Sequence, residues 1–78
     1  MEKYCEFIKK WIEENRGIPT CDIDENANLF EKQYLDSLSV FGLIMDIEDD
    51  FGIKFTPEDL TSENAATVKG LASIAASK

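Results

Sequence analysis

From Glu2 to about Asn15, apolar residues fall at helical spacing. Tyr4, Phe7, Ile8, Trp11 and Ile12 share one face, and Glu6, Lys9, Lys10, Glu13 and Glu14 fill the other. Arg16-Gly17 predicts the helix end, because glycine suits a left-handed cap, and Pro19 blocks resumption. A second helical pattern runs from about Ser37 to Asp50. Leu38, Phe41, Ile44, Met45, Glu48 and Phe51 follow at three- and four-residue steps, with Val40, Leu43 and Ile47 widening the stripe. Ser39, Gly42, Asp46, Asp49 and Asp50 fall toward solvent, and Gly52 ends the helix.

Between these helices, Ile18 to about Leu35 shows no sustained period. Asp22, Asp24, Asn26 and Asn28 favour turns because their side chains compete for backbone hydrogen bonds. So long a connection needs anchors, and Leu29 and Phe30 are the expected ones. Further on, Ile53-Lys54-Phe55 alternates too briefly for a stable strand. Thr56-Pro57-Glu58-Asp59-Leu60 places a cap residue, then proline at the first helical position, then acids in the first turn, which predicts one short helix. Thr67 is the expected cap of a last helix that turns Val68, Leu71, Ala72, Ile74 and Ala75 inward. The pattern predicts an all-α fold: a four-helix bundle of three main helices and one short one, with a long loop between the first and second.

Length and composition narrow the picture. The 78 residues form one expected domain, residues 1–78, with too little chain for a second core. No apolar run is long enough to span a bilayer, and the charged N-terminus lacks a secretory pattern, so a cytoplasmic location is expected. Cys5 and Cys21 have neither zinc nor redox spacing, there is no histidine, and free thiols are expected. Sixteen acids against eight bases give a net charge of −8. That field disfavours nucleic acid and anionic membrane as partners and favours proteins with Lys/Arg patches.

The acidic run Asp22–Asn28 imitates a calcium loop and fails its requirements. A loop starting at Asp22 needs glycine where Ala27 stands and a bidentate glutamate where Gln33 stands. No metal site is expected.

Ser37 is the residue with chemical promise. The chain offers it no histidine, no lysine with signs of burial and no nucleophile elbow, so another protein must activate its hydroxyl. Paired carboxylates held in a cleft, which a hydrolase would need, are not suggested by the exposed acids. Ser37 stands where the loop becomes the second helix, where a phosphodiester would meet free backbone N–H groups and the positive helix end, worth ~0.3–1 kcal/mol. Asp36 offers a modifying enzyme a carboxylate, and Leu38 can dock on a partner or tuck into the core. The plain alternative makes Asp36 or Ser37 a helix cap and nothing more.

The surroundings weigh against that plain alternative. Asn28-Leu29-Phe30-Glu31, Tyr34-Leu35-Asp36-Ser37-Leu38, Ile44 through Ile53, Pro57-Glu58-Asp59-Leu60 and Glu63 through Val68, in this order, resemble the acyl carrier and peptidyl carrier proteins. The resemblance implies a serine, here Ser37, that a phosphopantetheinyl transferase modifies with 4′-phosphopantetheine from coenzyme A. The arm's thiol would carry an acyl or aminoacyl thioester between enzymes, and the chain itself would not be an enzyme. It further implies that Asp36 and Leu38 belong to a recognition surface, with Asp46, Asp49 and Asp50 as its acidic part. On the plain reading Val40, Ile44, Ile47, Phe51, Leu60, Val68, Leu71 and Ile74 are bundle core; in fatty acyl carriers such residues can part to admit a lipid chain, which this sequence neither shows nor forbids.

Some features depart from the family's housekeeping fatty acid members. Ser39 and Gly42 stand where acids are common. Gly42 costs ~1 kcal/mol relative to alanine in a helix, Phe41 is bulky enough to narrow an acyl pocket, and a glycine frequent ahead of the motif is missing from Lys32-Gln33-Tyr34-Leu35. A specialised, monomeric acyl carrier of a fatty acid, lipid or polyketide-type pathway is the first expectation. An aminoacyl carrier of the D-alanyl or peptidyl type, working with an adenylating enzyme, is the second. An acidic interaction module without a cofactor is the third.

Self-repulsion at net −8 loosens the fold at low ionic strength. The melting temperature is therefore expected to rise from dilute buffer to moderate salt or divalent cation. A flat response would show that the charges are balanced in space.

Overall fold

A computed structural model describes residues 2–78, except for the side chain of Ser37, of which only the backbone is described. The elements are α1 (Glu2–Arg16), α2 (Ser37–Phe51), α3 (Pro57–Thr61) and α4 (Val68–Ala76), with short 3-10 turns at Thr20–Asp22 and Glu63–Ala66. Four helices and no strand among the described residues match the all-α bundle expected from the pattern.

The caps follow the sequence closely. Gly17 N–H closes α1 on the Glu13 carbonyl at 3.0 Å. Gly52 ends α2 at φ 65°, a left-handed conformation that glycine adopts without Cβ strain. Thr56 and Asp59 form a reciprocal capping box around Pro57. Thr67 Oγ1 accepts from Gly70 N–H at 2.9 Å and starts α4.

α1 packs against both α2 and α4. Ile8 and Ile12 of α1, Leu43 and Ile47 of α2, and Val68 and Leu71 of α4 are fully buried. Removing a side chain such as Ile8 down to alanine would cost ~2–5 kcal/mol at sites of this kind. Tyr4 and Phe7 close one end of the core against Phe51, with ring centroids 4.7 and 5.3 Å away. Of the eight positions expected in the core, Ile44, Ile47, Val68 and Leu71 are buried. Val40, Phe51, Leu60 and Ile74 are half-buried and pack against it.

The inward stripe of α2 differs from the expected one. Val40, Leu43, Ile44, Ile47 and Phe51 face the core, whereas Leu38, Phe41 and Met45 are exposed. Both stripes have helical spacing, and the neighbouring helix decides between them. The Trp11 indole crosses α2 at Gly42, where an added Cβ would lie 3.4 Å from the ring, and its N–H donates to Asp46. Gly42 therefore gives close access to α1 rather than to solvent, and Ser39 beside it is half-buried.

The long connection is tied down more thoroughly than its composition suggests. Leu29 is buried as expected, but Phe30 is exposed, and the further anchors are Ile23, Tyr34 and Leu35. Leu29 N–H donates to the Ala66 carbonyl at 2.7 Å, and Lys69 N–H to the Glu25 carbonyl at 3.0 Å. The Tyr34 hydroxyl donates to the Asp22 carbonyl and accepts from Asp24 N–H. Asn28 Oδ1 caps the turn that follows by accepting from Phe30 and Glu31 N–H. Gln33 takes φ 60° in the stretch where the family's glycine is missing. The calcium-like loop folds inward on itself, with Asp24 Oδ1 accepting from Asn26 N–H and Glu25 paired to Lys9 at 2.7 Å. Both cysteines are free, Cys5 buried and Cys21 exposed.

Two glycines in helices make opposite predictions. A Cβ on Gly70 would sit 2.0 Å from the Asn64 carbonyl oxygen, so Gly70→Ala must push α4 off the preceding turn, at a cost of ~1–3 kcal/mol. Gly42→Ala meets Trp11 only at contact distance and is expected to stabilise by up to ~1 kcal/mol through helix propensity. Urea denaturation midpoints of the two variants check both signs.

Candidate functional site

The first residue of α2 is Ser37, and what precedes it determines how the helix starts. Asp36 has an extended backbone, and its Oδ1 accepts from both Leu38 N–H at 3.1 Å and Ser39 N–H at 2.7 Å. Its carbonyl also accepts from Val40 N–H at 3.1 Å. Asp36 is thus the N-cap of α2. Hydrogen bonding from Ser39, then the nearby Arg16 guanidinium and Leu38 N–H, hold its carboxyl below the usual carboxylate range.

This cap changes what the helix start offers. The N–H groups of Leu38 and Ser39, expected to be free for a phosphodiester, are already taken by Asp36. The cation nearest the cap is Arg16, whose Nη1 lies 3.8 Å from Asp36 Oδ2 across the end of α1. In the sequence Arg16 marks only a helix end, since nothing local connects positions twenty residues apart in the chain. The side chain of Ser37, the expected attachment point, lies outside the described residues; its backbone opens α2, and the flanking Asp36 and Leu38 are exposed.

The remaining expected recognition residues divide into two groups. Leu38 is 81% exposed and does not tuck into the core, and with Phe41 at 58% and Met45 at 65% it forms an apolar line down the outer face of α2. Asp49 follows Met45 by four positions and continues that line. Asp46 and Asp50 instead border the seam between α1 and α2, beside Phe7, Trp11 and Glu14. Asp46 accepts the Trp11 indole N–H there. The three aspartates are all exposed, but they face two different surfaces.

A second feature had only an indirect signal in the sequence, the bulk of Phe41. Between α2 and α3 lies a recess of about 180 Å³ lined by Phe30, Val40, Phe41, Ile44, Leu60 and Leu71, with alanines and Ser62 completing the wall. No charged side chain lines it. Phe30 is 43% exposed, and with Phe41 it stands at the recess and in solvent at once.

Comparison with known proteins bears directly on this geometry. The profile of the family described as "Phosphopantetheine attachment site" matches residues 6–74. The chain belongs to the phosphopantetheine-binding carrier family of acyl and peptidyl carrier proteins. An acyl carrier protein of Thermotoga maritima is 35% identical over 66 residues, covering 85% of this chain and 79% of that protein. One from Zymomonas mobilis subsp. mobilis is 35% identical over 69 residues, covering 88% and 86%. The chain is thus a carrier and not a catalyst, and its prosthetic group is 4′-phosphopantetheine. Membership implies a phosphopantetheinyl transferase and enzymes that load and unload the arm as partners. The residues around the helix start fit such a group: Arg16 supplies a cation 3.8 Å from the Asp36 carboxylate, and an apolar recess walled by Val40 and Phe41 lies about one turn along α2.

The cap makes a pH prediction. A carboxyl whose folded pKa lies below its ordinary value stabilises the fold above that value and loses its contribution as pH falls through the folded pKa. Asp36→Ala is therefore expected to melt below wild type at neutral pH, with the gap closing below pH 3.8. Asp36→Asn, which keeps an acceptor at the cap, is expected to lose much less. Thermal melts of the three proteins across pH check this.

Proposed function

We propose that Ser37 carries the 4′-phosphopantetheine arm and that the chain holds an acyl group on it, moving the group between enzymes of a fatty acid, lipid or polyketide-type pathway in the cytoplasm. The observation that carries this reading is the placement of residue 37: it is the first residue of α2, set directly behind the Asp36 cap, within the matched span of the carrier family. The acyl assignment is supported by the relatives, which are named acyl carrier proteins. When bound, the group supplies a terminal thiol whose thioester is activated toward acyl transfer.

The chain's own residues divide the remaining work. The Ser37 oxygen forms a bond to the phosphorus of coenzyme A that bears the pantetheine; the bond to the departing adenosine bisphosphate breaks, and the serine proton passes to a base of the transferase. Asp36 keeps the helix start in one conformation and presents its outer oxygen, Oδ2, toward Arg16. Leu38, together with Phe41 and Met45, gives partners an apolar strip, and Asp49 at its end meets their basic side chains. Asp46 and Asp50 act on the seam side, where partner contacts would compete with Trp11. The chain works as one domain and as a monomer.

Incubation with coenzyme A and a broad-specificity transferase is expected to add the mass of one phosphopantetheine to wild type and nothing to Ser37→Ala. An unmodified wild type, or a modified Ser37→Ala, would sink the assignment. Asp36→Asn separates cap from recognition. If the transferase reads the charge, that variant keeps its fold, while its modification rate drops by roughly tenfold or more, the equivalent of ~1.4 kcal/mol.

A further inference from the structure

The two oxygens of the Asp36 carboxylate do different work. Oδ1 accepts the Leu38 and Ser39 N–H groups and starts α2. Oδ2 lies toward the Arg16 guanidinium, whose Nη1 is 3.8 Å away. The Asp36 side chain is 58% exposed, so with Oδ1 occupied it is Oδ2 that an arriving protein can take hold of. The group it would hold is an ionised one. Hydrogen bonding from Ser39 first, and the Arg16 charge after it, keep the carboxyl below the usual carboxylate range.

Arg16 contributes little to folding through this contact. Both side chains are open to solvent, and 3.8 Å is longer than the 2.7 Å of the Lys9–Glu25 pair on the same helix. Its position matters more than its strength. α2 and its cap hold Asp36, Asp46, Glu48, Asp49 and Asp50 and no base. Among the described residues, Asp36 is the only one of these acids in an ion pair. The acid already matched by a cation is therefore the neighbour of residue 37. A protein drawn to this face by its Lys/Arg patches finds the other acids without a cation. At the cap alone it meets a charge of its own sign. Arg16 reaches the cap from the last turn of α1, a separate element, so its contact can open while the two hydrogen bonds that start α2 stay closed.

Resting on the carrier reading above, we propose that Arg16 restrains the modification of residue 37: it covers Oδ2 of Asp36 in the unmodified protein, and a transferase that grips this carboxylate with a cation must first displace it. The bond formed and the bond broken in the transfer are those given above. Arg16 acts on the encounter, as a competitor built into the carrier.

The test measures phosphopantetheine transfer from coenzyme A by a broad-specificity transferase, followed by intact mass, for wild type, Arg16→Gln, Arg16→Lys, Asp36→Asn and the Arg16→Gln/Asp36→Asn double variant. Rates are compared in about 0.01 M and about 1 M salt, where charges act over about 30 and 3 Å. In low salt Arg16→Gln is expected to raise kcat/KM for the carrier about two- to fivefold, the range of an exposed ion pair, through a lower KM with kcat unchanged. Arg16→Lys stays near wild type. The gain disappears in high salt and in the Asp36→Asn background. A second readout needs no transferase: the Asp36 carboxyl, followed by carbon NMR, titrates at higher pH in Arg16→Gln than in wild type. Arg16 is exposed, so the unmodified fold is expected to persist in its variants, which thermal melts verify. Equal rates for wild type and Arg16→Gln, a slower Arg16→Gln, or a gain that survives in the Asp36→Asn background overturns this proposal alone. Wild type left unmodified by the transferase would remove the carrier reading and this inference with it.

Discussion

One Asp36 carboxylate oxygen accepts two backbone N–H groups at the start of α2, and much else depends on that pair of hydrogen bonds. It marks where the long first connection stops and where helical geometry begins. The cap also places residue 37 at the head of the helix. Structure and proposed chemistry thus stand side by side: the side chain that holds the fold at this point is the direct neighbour of residue 37, the proposed attachment point.

The second constraint is the shortage of core. Among the described residues fifteen apolar side chains are buried, so the long first connection must contribute its share. It does so through Ile23, Leu29, Tyr34 and Leu35. Backbone hydrogen bonds from Leu29 to Ala66 and from Lys69 to Glu25 fasten this segment to the end of the chain that forms α4. A connection without secondary structure of this length is stable only because its polar groups find partners and its apolar ones find the core. The close approach of α4 to the Asn64 turn at Gly70 belongs to the same economy of space.

Helix positions and caps were legible in the sequence because they rest on local chemistry: Gly17, Gly52, the Thr56–Asp59 box and Thr67 each act within a few residues. The inward face of α2 was not, since a helix carrying Leu38, Phe41 and Met45 as well as Leu43 and Ile47 satisfies the apolar period in more than one direction. The choice is made by Trp11 lying against Gly42, a contact between residues far apart in the chain. The loop anchors Tyr34 and Ile23 escaped notice for a related reason: their segment has no period to read. Ser37 could be singled out from its motif and from the absence of any partner to activate it. The tie between Asp36 and Arg16, and the recess behind Phe41, needed three dimensions.

The indole of Trp11 has one further consequence. It is the sole tryptophan, half-buried, and bonded through its ring nitrogen to a carboxylate on α2. Ultraviolet emission from this protein therefore comes mainly from one place, the seam where the first and second helices meet. Any event that shifts α2 on α1 changes the polarity and hydrogen bonding of that single ring, and with them the colour and lifetime of its light. The molecule carries its own optical gauge of helix movement, and no label need be attached to read it.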